Sequence, residues 1–347
     1  MESPNYANAE FLSAHGATQR SSHELAAEIT RARFGDEVFV RGVVEVSNHC
    51  RENCHYCGMR RDNRQLSRFR ARHDEMAELL IHHRPASVTD VNIQSGEDPV
   101  VVREVVIPLV QTLRRETDLG VSVCLGTLSP PLYAELRAAG ASIYIIKFET
   151  AEESLYGELH APGTFNERLH DIRHLAEEGW QVSSGFIAGL PGQTMAGLLA
   201  NFHLARELPL SGCSVSPFIP GEETPLAGEP MASLDLTLNC MAALRLERPD
   251  FVIPAVSALN LAGPGAGYRR GLRAGANLCT INLTPPNVRG DYLLYKRERI
   301  IMDEERILTA IQAEGLKPSQ SGLADYYTRR NGSETTSPLS IVPATQL

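Results

Sequence analysis

A closed (βα)8 barrel of the TIM type is the α/β fold that this sequence predicts, and three observations carry the prediction. Eight short apolar or β-branched runs recur over about 245 residues with helical patterns between them. Helix-start signals punctuate the intervals. Short polar motifs fall at the carboxyl ends of the runs, where a barrel of this kind keeps its chemistry. A doubly wound open sheet is the alternative, and the eightfold count favours closure.

The runs, in order, are "VRGVVEVS" (40–47), "VTDVNIQ" (88–94), "VSVCLG" (121–126), "SIYIIKFE" (142–149), "QVSSGFIAG" (181–189), "GCSVSPF" (212–218), "FVIPAVSA" (251–258) and "ANLCTINL" (276–283). Each is rich in Val, Ile or aromatic residues and is bounded by turn formers, as a buried parallel strand requires. Between them, Ser21 with Glu24 and Thr164 with Glu167 read as capping boxes, and Ser129-Pro130 as an N-cap followed by a first-turn proline. Residues 1–22 and the tail 328–347 lack periodicity, so the first is expected to be a flexible segment and the second disordered, with the barrel over 23–327.

The 347-residue chain has a formal net charge of −9 and a pI near 5.7. That leaves no basic surplus for nucleic acid or an anionic membrane surface. No apolar run approaches the ~18 residues of a membrane span, and "MESPNYANAEF" lacks the basic-then-apolar order of a secretory signal. A cytoplasmic protein is expected. Seven cysteines, an odd number, argue against a disulfide framework. Cys124, Cys213, Cys240 and Cys279 sit singly in apolar context and read as small core residues.

Cys50, Cys54 and Cys57 are different. They form a Cys-x3-Cys-x2-Cys run just after the first predicted strand. Structural zinc usually takes four ligands from two separated pairs, and no second pair partners this one, although His49 and His55 flank it. A 4Fe-4S cube held by three thiolates leaves one iron free for a small molecule, which gives a reason for three rather than four.

That run, with Tyr56 just before its last cysteine, resembles the radical S-adenosylmethionine (SAM) superfamily. The resemblance implies one 4Fe-4S cluster and SAM as cofactors, with SAM chelated to the free iron and reductively cleaved to a 5′-deoxyadenosyl radical. It further implies an electron donor such as flavodoxin or ferredoxin, and a small-molecule substrate. "QSGED" (94–98) matches the segment that receives the SAM amino group, through Ser95, Gly96 and Glu97. Glu149 matches an acid facing the SAM ribose, Arg168 an arginine that pairs with the SAM carboxylate, and Ile187 in "GFIAGLPGQT" the segment lining the adenine.

Within the superfamily, the sequence is most similar to the branch of biotin synthase, methylornithine synthase and the FeFe-hydrogenase maturase HydE. "RGVVEVSNHCRENCHYCGMRRDN", "PFIPGEETPL", "IPAVSALN" and "GANLCTINLTP" look HydE-like. The branch implies a C-terminal part of the BATS type at about 235–325. Ser122 and Ser183 stand where biotin synthase has ligands of a second cluster, and hydroxyls are poor ligands for an iron sulfide. Thr127, Lys147-Phe148 and Val288 depart from the HydE pattern. The expected substrate is cysteine-derived or amino-acid-like, met by Gln94, Thr127, Ser257, Thr280 and Asn282; the alternative is a natural-product tailoring enzyme on the same scaffold.

Overall fold

The computed structural model of the chain describes residues 5–297 and 300–333. Seven parallel strands make the main sheet: β1 (Glu37–Ser47), β2 (Asp90–Ser95), β3 (Gly120–Cys124), β4 (Ile143–Ile145), β5 (Gln181–Ala188), β6 (Gly212–Pro217) and β7 (Leu278–Asn282). Their spatial order is β6-β5-β4-β3-β2-β1-β7, and a two-residue strand, β8 (Lys317–Pro318), pairs with the amino end of β1. From β1 to β6 consecutive strands are neighbours, each reached through helical crossovers, as the βα reading requires, and β7 returns to lie on the free side of β1.

Strand periodicity explains which side each residue serves. Val38, Val40, Val44 and Val46 of β1 are buried in one cluster with helix residues such as Leu80, Leu113 and Leu136. Burial of each such side chain is worth about 1.5–3 kcal/mol. The alternate positions, Arg41, Val43 and Glu45, line a cavity inside the ring.

Seven of the eight predicted runs are strands of the sheet. The exception is "FVIPAVSA" (251–258), which forms only isolated parallel bridges, Val252 to Gly212 of β6 and Pro254 to Leu278 of β7. The stretch stands in the eighth place and completes the ring as a partial barrel wall. Pro254 offers no N–H, so a regular ladder cannot run through it. The fully buried Arg245 substitutes for one, donating to the carbonyls of Pro249, Phe251 and Gly275 and to Asn277 Oδ1.

Thr164 and Glu167 form the expected capping box on the helix Phe165–Glu177, and Ser129 is the N-cap of the helix Pro130–Ala139 with proline in its first turn. Ser21 and Glu24 instead lie within the helix Gly16–Phe34, whose N-cap is His15. No breaker separates them from Ala17–Arg20, so the helix starts earlier. The amino-terminal stretch also departs from expectation. Residues 9–12 are helical, Leu12 is buried, and Asn239 Nδ2 donates to the carbonyls of Leu12 and Ala14 at 3.0 and 2.9 Å. The last helix, Leu323–Ser333, continues past the expected barrel end at 327. The rest of the predicted tail, 334–347, lies outside the described residues. Among the described residues no helix is long and apolar enough to cross a membrane.

Candidate active site

After Ser47 the chain leaves β1 as a long loop and returns at Arg70, which bridges Ser47. The three sequence-predicted cysteines lie on this loop, and polar side chains that the sequence reading did not single out hold its shape. Arg68 donates to four loop carbonyls, those of Asn48, Met59, Arg60 and Asn63. The buried Asn48 side chain donates to Ser67 O and Asp291 O and accepts from Phe69 N. Asp98 accepts from Ser47 Oγ at 2.8 Å and from Arg70 Nε at 2.7 Å, tying both ends of the loop to the end of β2. Burial pushes the Asp98 carboxyl up, but Arg70 and Ser47 outweigh it and hold the group below the ordinary carboxylate range.

The segment after β2 lies directly under the loop. A Cβ on Gly96 would sit 2.3 Å from His49 O and 2.9 Å from Cys50 Cβ, so only glycine allows this approach. The next amide, Glu97 N–H, donates to Cys50 Sγ at 3.4 Å. Burial raises all three thiols, Cys57 to about 12 and Cys54 well above its ordinary value, with the neighbouring Cys57 and Cys50 adding to the rise. A cationic centre would reverse that tendency, since coordinated thiols lose their protons.

The donor set fits a multi-iron cluster better than one ion. Among the described residues no three His, Cys, Asp or Glu side chains converge on a single-ion site. A cube met at three corners asks for thiols gathered at wider spacing, each to its own iron, and Cys50, Cys54 and Cys57 lie near enough to act on one another's ionisation. His55, the flanking histidine weighed as a zinc ligand, is stacked on His160 with ring centroids 4.1 Å apart.

Beside the loop, inside the ring, lies a cavity of about 370 Å³. Cys57 and Tyr56 form part of its wall, with Ser95 at the end of β2 and Ile187 on β5. Arg168 reaches it while 3 % exposed; its Nε donates to Tyr156 Oη at 3.3 Å, and it has no carboxylate within ion-pair distance among the described residues. Burial opposes its charge, but Tyr156, Glu97 and Glu149 raise its pKa above the ordinary value. Glu149 also faces the cavity, with a left-handed backbone (φ 62°) pinned by its N–H on Gly185 O and its carbonyl on Ile187 N. Lys147 Nζ stands 2.9 Å from Glu149 Oε2, yet that buried oxygen accepts no hydrogen bond of good geometry.

Elsewhere on the cavity wall, Gln94 and Asn282 both donate to Glu45 Oε1, and Thr280 Oγ1 accepts from Arg41 Nε at 3.1 Å. Ser257 completes the predicted polar lining, and Tyr292, Leu294 and Met302 close the mouth from the 284–325 segment. Two of the predicted residues bond to groups away from the cavity. The Glu97 carboxylate is absent from the cavity wall; it accepts from Arg51 Nε at 2.7 Å and Thr127 N at 2.8 Å. Thr127 Oγ1 turns to Asp171 instead of the cavity. The glycine turn at Gly126 (φ 74°), with its missing Cβ facing Glu97, lets the acid fold away from the cavity toward Arg51 and Thr127.

The sequence reading missed Arg41, Glu45, Lys147 and Cys124, all on the cavity. Cys124, read as a core residue, is therefore a wall residue, whereas Cys213, Cys240 and Cys279 are buried as expected. Alternation was the available signal: Arg41 and Glu45 share one face of a strand rich in valine. A second cavity, about 430 Å³, lies outside the ring against the helix Gly16–Phe34 and holds none of the predicted residues.

Comparison with known proteins agrees with this geometry. The profile of the Radical SAM superfamily matches residues 44–205. The [FeFe] hydrogenase maturase subunit HydE of Thermotoga maritima is 34% identical over 302 residues, 86% of this chain and 86% of that protein. A 3-methylornithine synthase of Methanosarcina barkeri is 26% identical, over 86% of this chain and 85% of that protein. The crystal structure of a methylornithine synthase superposes with a TM-score of 0.80 at 23% identity, covering 92% of this chain and 94% of that one, which speaks for the fold. With the barrel, the cysteine loop and these likenesses together, the chain belongs to the radical SAM superfamily of enzymes.

Proposed function

We propose that the chain cleaves SAM reductively at a 4Fe-4S cluster held by Cys50, Cys54 and Cys57, and uses the resulting radical on a small cysteine-derived or amino-acid-like substrate, as a HydE-like enzyme. The observation that carries the reading is the pairing of a three-thiol loop with two buried, under-satisfied ionic groups on one cavity, Arg168 and Glu149 Oε2. Arg168 is buried with no ionic partner among the described residues and Glu149 has only the Lys147 ammonium beside it, so a zwitterionic cofactor with hydroxyls would satisfy both groups.

The cluster and SAM, when bound, supply the electron and the 5′-deoxyadenosyl radical. The chain's own residues bind and orient. Arg168 pairs with the SAM carboxylate, Glu149 accepts from the ribose or amino group, Ser95 and Gly96 offer backbone at the end of β2, and Tyr56 and Ile187 provide apolar contact. Glu97 serves from behind: its amide steadies the Cys50 sulfur while its carboxylate braces Arg51 and Thr127. Gln94, Asn282, Thr280 and Ser257, with Arg41 and Glu45, offer a polar floor that suits a compact zwitterion.

A second reading, a natural-product tailoring enzyme, is favoured by one observation: Lys147, a departure from the HydE pattern, lines the cavity itself. The deciding experiment incubates reconstituted enzyme anaerobically with SAM, dithionite and the iron–cysteine precursor used by HydE. Substrate loss alongside 5′-deoxyadenosine supports the HydE-like reading. Deoxyadenosine with the precursor untouched transfers the assignment to the second.

A further inference from the structure

An arginine meets a carboxylate through two parallel hydrogen bonds only when the plane of its guanidinium is turned the right way, and a loose stem has rotamers to give up first. Arg168 is not loose. Its Nε donates to Tyr156 Oη at 3.3 Å. Because a guanidinium only donates, the phenol oxygen is the acceptor there, and its single proton goes to the Pro162 carbonyl at 2.6 Å. One hydroxyl therefore ties the Nε edge of Arg168 to the turn that precedes its helix, Phe165–Glu177. The terminal nitrogens of Arg168 have no hydrogen-bond partner among the described residues, and Arg168 stands on the cavity wall.

Tyr156 is itself held fast. It lies on the short helix Glu153–Glu158, is 1 % exposed, and packs edge-on against Phe165 with ring centroids 5.6 Å apart. Phe165 opens the helix that carries Arg168, so the ring and the guanidinium share one frame. Burial pushes the phenol up to about 12 while Arg168 draws it down, and the hydroxyl keeps its proton at neutral pH. Tyr156 is absent from the cavity wall, whereas Pro162 and Arg168 are both on it. We propose that Tyr156 is a positioning residue for SAM: its hydroxyl, anchored on the Pro162 carbonyl, holds the Arg168 fork in the orientation that receives the SAM carboxylate. The proposal deepens the assignment of Arg168 above and rests on it.

The test uses the full chain reconstituted with iron and sulfide and kept unreduced, so that SAM binds without being cleaved. Equilibrium dialysis compares SAM with decarboxylated SAM, which lacks only the carboxylate. Tyr156→Phe keeps the ring and removes the hydroxyl. It should hold as much iron as wild type and bind SAM about three- to tenfold more weakly, the worth of one ordinary hydrogen bond, while its affinity for decarboxylated SAM stays within about twofold of wild type. In an Arg168→Ala background the same change should weaken SAM no further, because the group that the hydroxyl positions is gone. Unchanged SAM affinity overturns the proposal, as do equal losses for the two ligands, additive losses in the double variant, or a cluster that fails to assemble in Tyr156→Phe. Should Arg168→Ala alone leave SAM affinity at the wild-type value, the assignment of Arg168 falls and takes the proposal with it; a wild type that binds neither ligand sinks the proposed function.

Discussion

Arg168 is a guanidinium 3 % exposed, with a phenol for a neighbour and no carboxylate in contact among the described residues. Such a residue is under-satisfied until an anion arrives, and Arg is suited to a fork-like pairing with a carboxylate. Losing one charge-assisted hydrogen bond in a dry site costs about 1.5–3 kcal/mol, or roughly ten- to a hundredfold in affinity. Arg168→Ala should therefore bind SAM that much more weakly, measured by equilibrium dialysis on protein with its full iron content. Glu149 adds a second sign of a built site, since a non-glycine residue at φ 62° carries about 1–3 kcal/mol of strain that its backbone bonds must hold. Both residues were legible in the sequence by their place in motifs. Arg41, Glu45 and Lys147 were not, because a charge within a β-branched run reads equally as outward and solvated until closure of the ring fixes which face is inside.

At the scale of elements, the cysteine loop is held at its two ends by one carboxylate. Asp98 ionises more readily than an ordinary aspartate because Arg70 and Ser47 stabilise its charge against burial. Its folded pKa lies below its unfolded one, near 3.8, so its contribution is complete above 3.8 and is lost as pH falls through the folded value. Thermal melts of wild type and Asp98→Asn should differ by the same few degrees at pH 7 and pH 5, and by less at pH 3. A gap already gone at pH 5 would mean that the clamp does not depend on the carboxylate. The cap at Thr164 and the proline start at Pro130 were readable because both signals are local. The Ser21–Glu24 pair misled because a capping pattern marks a start only where the preceding residues are not themselves helical.

Over the whole molecule, the ring depends on one irregular stretch. Pro254 denies residues 251–258 a full ladder, and Arg245 bonds to the segment from behind; burial pulls its pKa down to about 9, which still leaves it charged at neutral pH. Arg245→Leu would strand the acceptors on Pro249, Phe251, Gly275 and Asn277, and should cost about 3–5 kcal/mol by urea unfolding. A loss under about 0.5 kcal/mol would mean that closure rests on apolar packing. The count of eight runs was enough to propose a barrel, since strand spacing is written in local composition. The tertiary replacement of a strand by an arginine fan was not, because nothing near Arg245 in sequence names its distant acceptors. The docking of residues 12–14 escaped notice for a similar reason: their anchor, Asn239, is more than two hundred residues away.

The central claim is that three thiols on one loop hold a cluster whose purpose is to cleave SAM. Its most direct test is anaerobic reconstitution of wild type and Cys54→Ala with iron and sulfide, followed by iron counting and by assay of 5′-deoxyadenosine with SAM and dithionite. Wild type should hold about four irons and form deoxyadenosine steadily, and Cys54→Ala should lose both, because a cube held by two thiolates should not persist. A Cys54→Ala protein that keeps its iron and still makes deoxyadenosine would contradict it.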